Sequence, residues 1–294
     1  MPETKTNVLP GCRGAVAPEA GTAGHPTGGR WYNAQVITAP LHVRELGDPA
    51  GPPLVALHGV TGHGARWQRL VADHLPGYRV LAPDLRGHGR SPRVPPWTLE
   101  QHARDVLGVL DALELERVPV LAHSFGGAVA LHLALLAPER VARLALLDPA
   151  VGLDPAMALD RAETWMTAEA YEDREAARRD QAEQWSGAAP EVVEEELDHN
   201  LVRAEDGRWR WRHTPASITT AWSEMARAHV VPPVGTPTLL VPAERADFVR
   251  PGFVADCRAA LGSELVVRPL DSGHMVHLER PAEVGALVRD FVGG

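Results

Sequence analysis

Short apolar runs alternate with amphipathic stretches through the first half of the chain. Residues 34–38, 41–45, 53–57, 78–82, 118–122 and 141–147 read as strands, several without a polar position, as expected where both sheet faces are covered. Between them lie helical patterns. Trp67, Leu70, Val71 and His74 fall at i, i+3, i+4 and i+7. Thr98 opens a second helix and, with Gln101 three residues on, forms a capping box ahead of the stripe Leu99, Ala103, Val106, Leu110 and Leu113. After a break the alternation resumes with strands at 238–241 and 265–269, a helix near 253–261 and a final helix opening at Pro281. Strand and helix in alternation predict one α/β domain built on a largely parallel sheet.

Residues 118–138 form the longest apolar run, 21 residues without Asp, Glu, Lys or Arg. Such a run has the length of a membrane span. The polar knot of His123, Ser124, Gly126 and Gly127 divides it into a buried strand and an all-round apolar helix. That pattern predicts a nucleophile elbow and no span.

The segment from 154 to about 232 breaks the alternation. It is charged, helical and holds five of the eight Trp residues: Trp165, Trp185, Trp209, Trp211 and Trp222. Helices are expected over 168–184 and 190–201, with a turn at Asp206-Gly207. This reads as a helical insertion, 154–232, in a core formed by 31–153 and 233–294. Its Trp residues are read as core, with the lining of an apolar acyl pocket as the other reading. Residues 1–30 are rich in Gly, Pro, Thr and Ala and read as a disordered extension. They lack the continuous apolar stretch of a secretory leader, so a cytoplasmic chain is expected.

Composition narrows the function. A net charge of -9 argues against nucleic acid as a partner, because phosphate binding wants a basic face. Cys12 and Cys257 form no close-spaced pair, and neither a disulfide framework nor a Cys metal site is indicated. No H-E-x-x-H, P-loop or dinucleotide fingerprint occurs, so no metal or cofactor is expected. The expected partner is a small acyl substrate; the oligomeric state stays open.

Candidate chemistry gathers at strand ends. Ser124 lies in A-H-S-F-G-G, a variant of G-x-S-x-G, with Phe125 N–H at a helix start where developing negative charge is favoured. A Ser nucleophile needs a base, and His274 in D-S-G-H-M-V-H-L-E-R-P follows the last strand; His277 reads as packing or capping. The acid is expected after the nucleophile and before the base. Asp247 is placed first, with Asp148 and Glu244 as alternatives. Val60, after His58-Gly59, would be the second oxyanion donor. D-L-R-G-H-G-R-S, residues 84–91, shapes a loop in which Arg86 pairs with a carboxylate.

Together H-G-V-T-G-H-G-A-R-W, D-L-R-G-H-G-R-S, A-H-S-F-G-G-A-V-A, L-L-D-P and D-S-G-H-M-V-H-L-E-R-P resemble the α/β-hydrolase superfamily over residues 34–294. The resemblance implies an α/β-hydrolase fold with an eight-stranded, mostly parallel sheet and a helical cap. It implies Ser124 as nucleophile, His274 as base, Asp247 as acid, and Val60 and Phe125 as oxyanion donors. Ala122 stands where the family usually has Gly, and the loop P-A-E-R-A-D lacks the Gly of the family's common G-x-x-D, which keeps Asp148 in play. Epoxide hydrolases and haloalkane dehalogenases of that superfamily use Asp where Ser124 stands. A Ser nucleophile implies a cofactor-free hydrolase of a carboxylic ester through an acyl-enzyme. A lactonase or a carbon-carbon bond (diketone) hydrolase is the first alternative, and a non-hydrolytic ligand-binding protein the alternative from another class.

Overall fold

The computed structural model describes residues 40–166, 170–185 and 187–293. Seven strands form the main sheet: β1 (Val43–Gly47), β2 (Pro53–Leu57), β3 (Arg79–Pro83), β4 (Val118–His123), β5 (Val141–Leu147), β8 (Thr238–Val241) and β9 (Leu265–Val267). Their order is β1-β3-β2-β4-β5-β8-β9; β1 is antiparallel to β3 and the other pairs are parallel. Eight strands were expected. The described residues supply seven, and the strand expected at 34–38 lies outside them.

The apolar strands are buried on both faces, and alternate residues feed two cores. Val55, Leu57, Val120, Ala122, Leu144 and Leu146 face one side, against α2 (Leu99–Ala112), α3 (Phe125–Leu136) and α8 (Pro251–Leu261). Leu54, Ala56, Leu121, Ala145 and Leu147 face the other, where Leu70 and Val71 of α1 (Gln68–His74) meet Val284 and Val288 of α10 (Pro281–Gly293). The Thr98 side chain accepts from the Gln101 N–H and starts α2 where the sequence places it. The apolar run at 118–138 divides into β4 and α3, and α3 is buried along most of its length because it packs under α2 and over the sheet. Among the described residues no helix is long and apolar enough to cross a membrane.

Between β5 and β8 the chain adds no strand to the main sheet. It forms α4 (Pro155–Met166), α5 (Arg174–Gln184), α6 (Pro190–Asn200), the hairpin of β6 (Leu201–Arg203) and β7 (Trp209–Trp211), and α7 (Pro215–Met225). Ala177, Val193, Leu197 and Leu201 make a small separate core there, packed on by Tyr171, Trp185, Trp209 and Trp211. Ile218, Ala221, Trp222 and Met225 of α7 instead join the main core. The helix expected from 168 begins at Arg174. Asp173 caps it by accepting from the Ala176 N–H, and Tyr171 is drawn into an extended pairing with Trp209. Leu201 leaves α6 to pair with Trp211. A four-residue helix, α9 (Val276–Glu279), precedes α10.

Candidate active site

Ser124 sits between β4 and α3 with φ 54° and ψ −120°, a conformation that L residues rarely adopt. Holding a residue there costs about 1–3 kcal/mol, which the packed strand and helix on either side sustain. The Ser124 N–H is fixed by the Leu147 carbonyl of β5 (3.1 Å). The turn demands glycine at 126: a Cβ there would lie 2.4 Å from the Leu57 carbonyl oxygen. Phe125 is the first residue of α3, so its N–H is one of the donors a helix start leaves without an intrahelical acceptor.

His274 reaches Ser124 from the loop after β9. Its Nε2 lies 2.8 Å from Ser124 Oγ, and its Nδ1 lies 2.6 Å from Asp148 Oδ2. A carboxylate only accepts, so Nδ1 carries the proton and Nε2 faces the Ser hydroxyl as an acceptor. Asp148 ends β5 and is fully buried. Its own N–H donates to the Val241 carbonyl (2.8 Å), and its Oδ1 accepts from the Ala243 N–H (2.9 Å).

Asp247 does not hold His274, contrary to expectation. Its carboxylate is exposed and pairs with Arg250 at 2.7 Å. Phe248, the next residue, takes the place beside the base instead, stacking on the His274 ring at 3.8 Å between centroids. Val249 then bridges to Val151, fixing that phase of the loop. Glu244 is exposed as well.

The loop after β2 carries Val60, which is partly buried and lines the same cavity as Ser124. The Leu85 N–H donates to His58 Nε2 (2.9 Å), so His58 Nδ1 carries the proton and donates to the Gly59 carbonyl (2.7 Å). Gly59 abuts the elbow: a Cβ there would meet His123 Nδ1 and Ser124 Cβ at 3.0 Å. Thr61 follows with φ 66°, an outlier for a β-branched side chain. Asp84 tethers the far side of this loop, accepting from the Gly64 N–H at 2.7 Å. Arg86 forms a fully buried bidentate pair with Asp105 (2.6 and 2.7 Å), the partner expected of it.

Gly59, Val60, Thr61, Ser124 and His274 border a cavity of about 790 Å³. Trp165, Trp185, Trp222, Phe248 and Met275 give it apolar walls, with Ser124 and His274 on its floor. Trp222 therefore serves both readings of the Trp residues, being 5% exposed in the main core and lining the cavity.

Several histidines around the site are buried without charge partners. Burial, with nearby cationic groups, pushes His88 down to about 4 and His102, His213 and His277 down to about 3. His277 packs its ring on His123 and Trp67, in keeping with a packing role. His123 Nε2–H donates to the His274 carbonyl (2.8 Å), tying the turn of Ser124 to the loop of His274. Unfolded imidazoles titrate near 6.5, so the unfolded chain binds more protons as the pH falls below that value. The stability these four groups contribute is complete above about pH 6.5 and is lost as the pH falls toward 3–4. Each loses on the order of 1 kcal/mol by pH 5.5, and together they lose several. Urea titrations should show the midpoint falling steeply between pH 7.5 and 5.5; an unchanged midpoint would contradict this.

Sequence reasoning did not single out Phe248, which lines the site, or Glu196 and Asn200, which bond to its lining residues Arg66 and Thr61. Glu196 and Asn200 sit on α6 at i and i+4, a spacing that puts both on one face, but nothing local marks that face as turned toward β2.

A family model described as alpha/beta hydrolase fold matches residues 52–281. The chain is 43% identical to the lipase LipV of Mycobacterium tuberculosis over 86% of its own length and 98% of that protein. It is 29% identical to the mouse sn-1-specific diacylglycerol lipase ABHD11, covering 88% of this chain and 87% of that one. Among solved structures, a marine microorganism esterase superposes with a TM-score of 0.73 at 24% identity, over 86% of this chain and 99% of that one.

Proposed function

Since the chain belongs to the α/β-hydrolase family, an enzyme family, we propose that it is a serine hydrolase that cleaves a carboxylic ester through an acyl-enzyme. The carrying observation is the relay from Ser124 Oγ to His274 Nε2 (2.8 Å) and from His274 Nδ1 to Asp148 Oδ2 (2.6 Å). His274 takes the Ser124 proton as Oγ attacks the ester carbonyl. Asp148 keeps the imidazole in the reactive tautomer and stabilises the imidazolium that forms. The Phe125 and Val60 N–H groups receive the oxyanion, each worth about 3 kcal/mol in the transition state. His274 returns its proton to the leaving alkoxide. A water then attacks the acyl group with His274 again as base, and the carboxylic acid leaves as Ser124 recovers its proton.

The segment between β5 and β8 acts as the cap in this reading, and residues 40–153 and 233–293 as the core. The cavity volume and its Trp and Phe walls favour a medium-length acyl chain. The lipase names of the two relatives support an ester as the bond cleaved. A panel of p-nitrophenyl esters of increasing acyl length should show turnover that peaks at medium length and vanishes in Ser124→Ala. Turnover of every ester no faster than that of Ser124→Ala would overturn the reading.

A further inference from the structure

The loop that carries Val60 is held by two residues of the inserted segment. Glu196 on α6 is 3% exposed, and each of its carboxylate oxygens is engaged. Oε2 accepts from His63 Nε2 (3.0 Å) and Arg66 Nε (2.9 Å), and Oε1 accepts from Arg66 Nη2 and Asn200 Nδ2 (both 2.8 Å). Burial pushes the Glu196 carboxyl up, but Arg66 and His63 more than offset this and hold it well below the usual carboxylate range. The carboxylate is therefore a fixed anion at working pH.

The network ends on one carbonyl. Asn200 Nδ2 donates to Thr61 O (3.0 Å), and Arg66 Nη2 approaches the same oxygen at 3.3 Å. Asn200 is 1% exposed, and among the described residues its Oδ1 has no hydrogen-bond partner. Its amide is thus kept in the interior for what Nδ2 donates, to Glu196 and to Thr61. Thr61 is the strained residue of the loop, at φ 66°, and the peptide unit that carries the Val60 N–H lies one residue before it. A β-branched residue does not hold a left-handed conformation unaided. A relaxed Thr61 would rotate the adjoining peptides and swing the Val60 N–H off its line to the oxyanion.

We propose that Glu196 and Asn200 are positioning residues for the oxyanion loop, clamping Thr61 O so that the Val60 N–H is preorganised for the transition state. This rests on the reading of Val60 as an oxyanion donor and makes the rate depend on a buried bond between α6 and the loop after β2. A lost or misaimed donor lowers the transition-state term while leaving ground-state binding nearly unchanged.

The test is kinetic, on the full chain, with p-nitrophenyl butyrate as substrate and kcat expressed per active site titrated by a fluorophosphonate. Glu196→Gln should lower kcat per site about 10–100-fold, and Asn200→Ala about 3–10-fold, with KM within threefold. The inhibition constant of a trifluoromethyl ketone, whose Ser adduct places an oxyanion in the hole, should weaken by matching factors. A purely structural role would lower the fraction of titratable sites and the melting temperature but leave kcat per site unchanged. Should Glu196→Gln fail to fold, Asn200→Ala, which keeps the Arg66–Glu196 pair, carries the test alone. A kcat per site within twofold of the parent for the folded variants, with Ser124→Ala inactive, overturns the proposal. Full turnover by Ser124→Ala would instead overturn the reading of the site on which it rests.

Discussion

Replacing Ser124 with alanine is expected to lower kcat for ester hydrolysis by about 10⁵–10⁶-fold, with KM changed only a few-fold. In the proposed mechanism the variant loses the nucleophile and keeps the cavity, the proposed oxyanion donors and His274. What remains should be the smaller acceleration that binding and the N–H groups give to direct attack by water. The fold should tolerate the change, because the strained φ of Ser124 is held by its backbone bond to Leu147 and the Gly126 contact, not by its hydroxyl. Burst and steady-state kinetics on one ester would measure it. A Ser124→Ala rate within tenfold of the parent would contradict the assignment.

Asp148→Asn is the second large effect, about 10⁴-fold in kcat, against less than twofold for Asp247→Asn. An Asn at 148 can still accept from the Ala243 N–H through Oδ1, and Asn tolerates the left-handed backbone at φ 40° that Asp148 adopts. Folding should therefore survive. The amide NH₂ would face His274 Nδ1, however, and favour the tautomer in which Nε2 carries the proton and cannot accept from Ser124. Asp247 sits in solvent beside Arg250, so its charge is screened from the ring. If Asp247→Asn were the variant that lost activity, the carboxylate assignment would be wrong.

These two residues mark how far the sequence could be read. Ser124 was legible because its surroundings are local: an uncharged strand, small residues at 126 and 127, and an apolar helix within 21 residues. The β2, β5 and β8 strands were legible for the same reason, since burial on both faces leaves runs that are apolar apart from Arg143 and Thr238. Asp148 was not decidable. Whether His274 meets the end of β5 or the loop after β8 depends on how Phe248 and Val249 phase that loop, a contact across more than 90 residues for Val151 and Val249. The missing Gly in P-A-E-R-A-D kept Asp148 in play, and it is Asp148, not Asp247, that lies against His274. The residues between β5 and β8 were hidden more deeply. Glu196 and Asn200 read as one polar helix face, and their meaning comes only from Arg66 and Thr61, which lie 130 and 139 positions earlier in the chain. The start of α5 was misplaced because Tyr171 is claimed by Trp209, a tertiary pairing that overrides helical propensity.

The most direct measurement is mass spectrometry of the folded chain after brief exposure to a fluorophosphonate. Intact mass should show one adduct per chain, and peptide mapping should place it on Ser124. The adduct should be absent from Ser124→Ala and form far more slowly in Asp148→Asn. A folded protein that takes up no label, or one labelled elsewhere with Ser124→Ala reacting equally well, would contradict a nucleophilic Ser124 activated through His274 and Asp148.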